Sequence, residues 1–289
     1  MEVLQPATLE EALAMKAATP QAVPLAGGTD LMVEINFGRR RPEVILDLTR
    51  VDELKGWTRS SRHLLLGSGV TYTRIVAEVA AELPGLALAS RTVGSPQIRN
   101  RGTVGGNLGT ASPAGDALPP LLACDADVRI ASSRGSRIVR LEDFLVGPKR
   151  NALAPDELIT AVAVPVARGP QQFSKIGTRN AMVIAVSAFA LAIDTESRSV
   201  GTGIGSAGPV VLRAREAERF IDASLAEGGS WESGTPPDEE TLARFGELVA
   251  EASQPIDDVR GTAAYRRHAL GIMAQRTFRW AWAELQRGG

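Results

Sequence analysis

Residues 102–116 read Gly-Thr-Val-Gly-Gly-Asn-Leu-Gly-Thr-Ala-Ser-Pro-Ala-Gly-Asp, and five of the fifteen positions are glycine: Gly102, Gly105, Gly106, Gly109 and Gly115. Apart from Asp116, every side chain in the run is small, apolar or uncharged. Glycine loses more backbone freedom on ordering than any other residue, so the run is expected to be neither core strand nor helix. Lacking Cβ atoms, its amides can reach contact distance of an anion or a flat ring. The hydroxyls of Thr103, Thr110 and Ser112 add short polar handles. Asp116 then leads into Ala-Leu-Pro-Pro-Leu-Leu-Ala, where it reads as an N-cap with Pro119 and Pro120 in the first turn. A glycine loop emptying into a helix N-terminus suits a phosphorylated ligand. A second loop lies upstream in Val-Pro-Leu-Ala-Gly-Gly-Thr-Asp-Leu, residues 23–31, where Thr29 or Asp30 can cap a helix through Leu31, Met32, Val33, Glu34 and Ile35. Two such loops with different spacings suit a ligand long enough to need both, a dinucleotide cofactor. The plainer alternative for residues 102–116 is a mobile surface loop.

These residues resemble a known family. Ala26-Gly27-Gly28-Thr29-Asp30-Leu31, and Thr103-Val104-Gly105-Gly106-Asn107 continuing to Ser112-Pro113-Ala114-Gly115-Asp116, are similar to the two FAD-binding segments of the flavoprotein subunit of molybdenum hydroxylases. That family includes the xanthine dehydrogenase and carbon monoxide dehydrogenase groups. Gly94-Ser95-Pro96-Gln97-Ile98-Arg99-Asn100-Arg101 resembles its bacterial members, and the likeness continues through Lys175-Ile176-Gly177-Thr178-Arg179 and Asp258-Val259-Arg260-Gly261-Thr262-Ala263-Ala264-Tyr265-Arg266-Arg267. It therefore spans essentially the whole chain.

The resemblance implies one FAD, held noncovalently, because the His and Cys tethers found elsewhere in this flavin-binding superfamily have no counterpart in the two loops. It implies cofactor contacts from Leu25, Ala26, Gly27, Gly28, Thr29, Asp30 and Leu31 in the first loop. From the second it implies Thr103, Val104, Gly105, Gly106, Asn107, Thr110, Ala111, Ser112, Pro113, Gly115 and Asp116. Val93, Ile98 and Ile159 fall where relatives place apolar contacts, and Lys175 matches a lysine on the pyrimidine side of the flavin. A strand-end lysine in solvent is the alternative for Lys175. A carboxylate beside a pyrophosphate would repel it, so Asp116 is expected to accept from a ribose hydroxyl or an adenine amine, and Asp30 to be only a helix cap. The expected function is an electron-transfer subunit. It would accept electrons from [2Fe-2S] clusters on a small partner subunit, fed by a molybdopterin centre on a large one, and pass them to NAD⁺, a quinone or another external acceptor. A dimer of heterotrimers is the family's assembly. Two alternatives stand beside it: a self-sufficient flavin oxidoreductase, and a cofactor-free structural subunit.

No other chemistry competes for the chain. His63 and His268 are its two histidines, and neither has Cys, Asp or Glu at ligand spacing. The single Cys124 cannot form an intrachain disulfide or hold an iron–sulfur cluster alone, and reads as a small buried hydrophobe. Gly203-Ile204-Gly205-Ser206-Ala207-Gly208 satisfies G-x-G-x-x-G, but Pro209 follows at once and no helix opens there, so a turn is expected in place of a Rossmann site. Neither G-x-S-x-G nor a P-loop occurs.

Several elements must position these loops. Thr8-Leu9-Glu10-Glu11 is a capping box for a helix over Ala7–Ala18, followed by strands at Val23–Gly28 and Val44–Leu48. A strand at Leu64–Leu66, a helix over Thr73–Leu83, a helix over Asp116–Ala126 and strands at Asp127–Ser132, Arg137–Leu141 and Leu158–Val164 complete an FAD-binding domain over 1–168, with subdomains of about 1–55 and 56–168. Strands at Phe173–Ile176, Val183–Asp194 and Arg198–Ile204 suit an antiparallel meander. Helices over Leu212–Glu227, from Asp238, and over Thr262–Gln286 follow it in a C-terminal domain over 169–289, with a Gly/Ser/Pro loop at 228–237. The fold class is α+β, a vanillyl-alcohol-oxidase-type FAD-binding domain of two small α/β subdomains followed by a three-stranded antiparallel sheet with helices. With 289 residues, 44% hydrophobic, 32 Lys and Arg against 33 Asp and Glu, the chain has a net charge of −1 and no basic surplus for nucleic acid. No window reaches membrane-spanning length, and the N-terminal residues lack a charged and apolar leader, so the cytoplasm is the expected location.

Overall fold

The structure, a computed structural model, describes residues 1–288. The chain begins with β1 (Glu2–Leu4), α1 (Leu9–Ala18), β2 (Val23–Leu25), α2 (Leu31–Asn36) and β3 (Val44–Asp47). The strands make a parallel sheet in the order β1-β3-β2. The Thr8 cap of α1 forms, with Glu11 N–H donating to Thr8 Oγ1 at 3.1 Å, while the Glu11 carboxylate reaches one residue past the expected box and accepts from Ala7 N–H at 2.8 Å. Strand β1 is absent from the sequence pattern because its three residues are mostly exposed and show no alternation.

Next come β4 (Trp57–Arg59), β5 (His63–Gly67), and the helices α3 (Tyr72–Glu78), α4 (Pro84–Thr92), α5 (Pro96–Arg101), α6 (Val104–Thr110) and α7 (Leu118–Ala123). The hairpin β6 (Asp127–Ser132) and β7 (Gly135–Arg140) turns at Ser133-Arg134, one residue earlier than expected, followed by α8 (Leu141–Phe144), the pair β8 (Leu145–Gly147) and β9 (Arg150–Asn151), and β10 (Leu158–Pro165). An antiparallel sheet in the order β4-β5-β10-β6-β7 results. Its inner face presents Leu66, Val128, Ile130 and Val162 to Ile75, Leu86, Leu108 and Leu121 of the helices. The helix expected over Thr73–Leu83 ends at Glu78, and a separate helix, α4, starts beyond it at Pro84, which fits a first helical turn. Helix α5 begins the same way, at Pro96, with Ser95 as its cap.

The last third is a meander of β11 (Gln171–Ile176), β12 (Ser187–Asp194) and β13 (Ser199–Gly205), then α9 (Arg215–Glu227), α10 (Ser230–Ser233), α11 (Glu239–Glu251) and α12 (Ala263–Gly288). The short α10 occupies the segment expected to be loop. Alternation divides the sheet's two faces. Phe189, Leu191, Ile193, Val200 and Ile204 pack against Phe245, Phe278 and Trp282 of α11 and α12. The opposite face carries Ala188, Ala190 and Ala192, paired across the ladder with Gly205, Gly203 and Gly201. Helix α7 lies against this row of small residues. A Cβ on Gly203 would stand 2.0 Å from the Pro119 carbonyl oxygen, and one on Gly201 2.0 Å from that of Ala123. The G-x-G-x-x-G segment is therefore strand and close-packing surface over Gly203–Gly205, and the expected turn is confined to the bend that starts at Ser206, φ 58°.

Phe278 is fully buried, stacked on Trp282 at 5.7 Å and edge-on to Phe245 at 5.8 Å between ring centroids. Phe278→Ala is expected to lower unfolding stability by about 3–5 kcal/mol, measured by denaturant titration.

Candidate cofactor site

Strand β2 delivers the first glycine loop to the end of α5. A Cβ on Gly27 would fall 1.9 Å from the Arg101 carbonyl oxygen, so only glycine lets the two backbones meet. Gly28 takes φ 74° and turns the chain into α2. Among the described residues, the amides of Gly27, Gly28, Thr29 and Asp30 donate to no protein acceptor. Asp30 sits at the N-cap position of α2, but its side chain does not cap. Its carboxylate accepts instead from Thr110 Oγ1 at 3.3 Å, tying the first loop to the second.

The second loop differs from expectation in that Val104–Thr110 is helical despite its glycines. Tertiary packing outweighs the local cost. Thr103 Oγ1 caps the helix by accepting from Gly106 N–H at 3.0 Å, and Gly105 N–H donates to the Ser68 carbonyl at 2.8 Å. A Cβ on Gly105 would meet the Ser68 Cβ at 2.4 Å. Both amides, expected to be free for a ligand, are committed to the protein. The Val104 and Ala111 side chains point into the core and contribute no surface to the site. Ala111 closes the helix in the left-handed region, φ 47°. A tight turn follows, with Gly115 N–H donating to the Ser112 carbonyl at 2.9 Å and Ala114 N–H to Ser112 Oγ at 3.3 Å. Gly115 lies on the Asn107 amide, whose Oδ1 is buried without a hydrogen-bond partner.

Asp116 does not cap α7 either: Ala117 occupies that position. Its Oδ2 accepts from Lys175 Nζ at 2.6 Å, and Lys175 also donates to the Thr92 carbonyl at 3.2 Å. Lys175 is thus no solvent lysine; both side chains of the pair are nine-tenths buried or more. Burial raises the Asp116 carboxyl to about 6, although Lys175 pulls the other way. Asp116 Oδ1 is buried with no partner.

The apolar residues line up around these groups. Val93 follows Thr92 at the end of α4, and Leu25 and Leu31 flank the first loop, Leu31 buried. Ile159 lies on β10 beneath Gly109, and Ile98 faces Gly94 from α5 with more than a third of its surface exposed. One residue escaped the sequence reading. Tyr72 is buried against Gly102, and its phenol is raised by burial and by the nearby charges of Asp116 and Asp30. Nothing in its local pattern distinguishes it from a core aromatic at a helix start. Cys124 is half-buried at the end of α7, and burial pushes its thiol up to about 12. Among the described residues no three His, Cys, Asp or Glu converge to hold a metal, and no helix is long and apolar enough to cross a membrane.

The first loop therefore offers a run of free amides and is bonded through Asp30 to Thr110 of the second, which carries two orphaned buried oxygens and meets the Lys175 cation at Asp116. Such a set fits an elongated ligand with an anionic middle and N–H or hydroxyl donors at its ends.

The family described as the FAD binding domain in molybdopterin dehydrogenase matches residues 1–167, and the CO dehydrogenase flavoprotein C-terminal domain matches residues 172–281. The chain belongs to this family, the FAD subunits of molybdenum hydroxylases, and is an oxidoreductase subunit. It is similar to the nicotinate dehydrogenase FAD-subunit of Eubacterium barkeri, 36% identical over 76% of this chain and 79% of that one. The xanthine dehydrogenase FAD-binding subunit of Escherichia coli O157:H7 is 29% identical over 93% and 92% of the two chains. Among solved structures, the reconstituted CO dehydrogenase from Oligotropha carboxidovorans superposes with TM-score 0.89 at 26% identity, covering 98% of each chain. Quinoline 2-oxidoreductase from Pseudomonas putida 86 gives 0.88 at 26% identity, covering 98% and 97%.

Because the folded chain binds the Asp116 proton more tightly than the unfolded one, this group's contribution to stability falls as pH rises from 3.8 to about 6. The difference in Tm between the ligand-free wild type and Asp116→Asn should therefore shift against the wild type across that interval and level off above it. A constant difference would remove burial as the dominant influence on Asp116.

Proposed function

We propose that the chain binds one FAD noncovalently between its two glycine loops and serves as the electron-transfer subunit of a multi-subunit molybdenum hydroxylase. The single observation that carries this is the pairing of two loops tied by the Thr110–Asp30 bond, the first with free Gly27–Asp30 amides and the second with the orphaned Asn107 Oδ1 and Asp116 Oδ1. The amides would bind the pyrophosphate, helped by the Thr29 and Ser112 hydroxyls. The two oxygens would accept from ring N–H or ribose hydroxyl groups, and Leu25, Val93 and Ile159 would exclude water from the flat ring. Lys175, held by Asp116 and the Thr92 carbonyl, keeps a positive charge on the ring side of the cleft. When bound, FAD supplies single-electron exchange with iron–sulfur clusters together with paired-electron delivery to an acceptor. No acid–base side chain is required for that task.

The division of labour we infer places FAD on residues 1–168, with residues 169–289 as a second domain supplying Lys175. The relatives named above are subunits of multi-subunit dehydrogenases. That likeness supports a small [2Fe-2S] subunit and a large molybdopterin subunit as partners, in a dimer of heterotrimers, with NAD⁺, a quinone or another external acceptor downstream. The substrate would be chosen on the large subunit.

The chain, co-expressed with its neighbouring subunits, should show oxidised-flavin absorption and release FAD on denaturation. Asn107→Leu, which removes the buried acceptor at similar volume, should weaken FAD retention about tenfold or more. Wild-type protein that carries no flavin in the assembled complex would overturn the proposal in favour of a cofactor-free structural subunit.

A further inference from the structure

Arg266 lies on α12, at the far end of the chain from the glycine loops, and is only 4% exposed. Its guanidinium makes three specific bonds. Nη1 donates to the Ser206 carbonyl at 2.6 Å and to the Val186 carbonyl at 2.9 Å, while Nη2 donates to Asp258 Oδ1 at 2.6 Å. The Asp258 carboxylate also accepts from Arg260 N–H at 2.8 Å, and Asp258 and Gly261 exchange two backbone bonds. The guanidinium is therefore anchored in a closed turn on one side and grips two backbone points on the other.

Each of those points leads to the cofactor cleft in one further step. Ser206 N–H donates to the Pro113 carbonyl at 2.8 Å, in the turn that presents Ser112, Gly115 and Asp116. Val186 N–H donates to the Ile176 carbonyl at 2.8 Å, and Ile176 adjoins Lys175. The Lys175–Asp116 bond joins the two branches into a ring. Ser206 itself takes φ 58°, a conformation that a non-glycine residue holds only when its surroundings impose it. Its carbonyl is bonded by Arg266 and its amide by the Pro113 carbonyl.

We infer that Arg266 is a positioning residue for the cofactor cleft: through Ser206 it sets the Ser112–Asp116 turn, and through Val186 it sets the strand that carries Lys175. The inference rests on the FAD reading above for its functional consequence, but its mechanical link is independent of that reading. An arginine that only supported the C-terminal core would affect folding as a whole. One that positions the cleft acts selectively on the turn, although it touches no part of the site directly.

The test uses the full chain with Arg266→Met and Arg266→Lys. In the ligand-free protein, hydrogen exchange should speed up at the Gly115 and Ser206 amides in both variants, while the amides of the β6–β7 hairpin stay protected as in the wild type. FAD titration of the same preparations should give a dissociation constant raised about tenfold or more in Arg266→Met and less in Arg266→Lys, whose ammonium can still reach one carbonyl. Exchange that is unchanged at Gly115 and Ser206, or that rises equally across the β6–β7 hairpin, would overturn the inference. So would an unchanged FAD affinity in variants whose wild-type parent binds FAD. Should Arg266→Met fail to fold, Arg266→Lys alone decides by the same two measurements. A wild type that binds no FAD overturns the functional reading, and the exchange pattern then judges the mechanical link alone.

Discussion

Helix α7 and strand β13 meet with no side chain between them. Alternate residues of the strand are Gly201, Gly203 and Gly205, and the neighbouring strand offers Ala188, Ala190 and Ala192 on the same face. The helix backbone sits where Cβ atoms would otherwise stand, with the Pro119 and Ala123 carbonyls each 2.0 Å from such a position. This approach docks the last third of the chain onto the five-stranded sheet's helices. It also brings Asp116, two residues before α7, within 2.6 Å of Lys175 on β11. The Lys175–Asp116 pair thus draws one member from each side of this contact. Without the glycine and alanine face, the helix would ride higher on the sheet and Lys175 would lose its partner.

The electrostatics follow from the same packing. Two carboxylates, Asp30 and Asp116, border a cleft proposed to hold a pyrophosphate, and free carboxylates there would oppose it. Each is turned to a partner instead, Asp30 to the Thr110 hydroxyl and Asp116 to the Lys175 ammonium. The Lys175–Asp116 pair is buried enough that desolvation raises the Asp116 carboxyl despite the adjacent cation. A pair of this kind adds little net stability compared with apolar packing, but it fixes geometry, because either charge left alone in the seam would be costly. The free amides of Gly27–Asp30 are then the main attraction offered to an anion.

Much was legible in the chain because it depended on local rules. The Thr8 cap of α1, the Asp238 cap of α11, the pairing of β6 with β7 and the amphipathic α9 and α11 all follow from short-range spacing. The two glycine loops stand out by composition alone. What misled was also local. Glycine content argued against a helix at Val104–Thr110, yet contact with Ser68 makes glycine the residue that permits that helix. Local signals likewise put Gly203–Gly208 wholly in a turn, when Gly203 and Gly205 lie on β13 and admit Pro119 of α7.

The sequence by itself determined the class of elements, the family, and which segments lack side chains near the ligand. Propensity, periodicity and motif spacing act over a few residues, so they can be read without coordinates. Tertiary structure alone decided the partners. Lys175 and Asp116 are 59 residues apart, Thr110 and Asp30 are 80 apart, and the Arg266 bond to Ser206 spans 60. Which amides are free and which are spent, as at Gly27 and Gly105, depends on what each loop is pressed against. That is settled by the packing of distant segments, and no spacing along the chain records it.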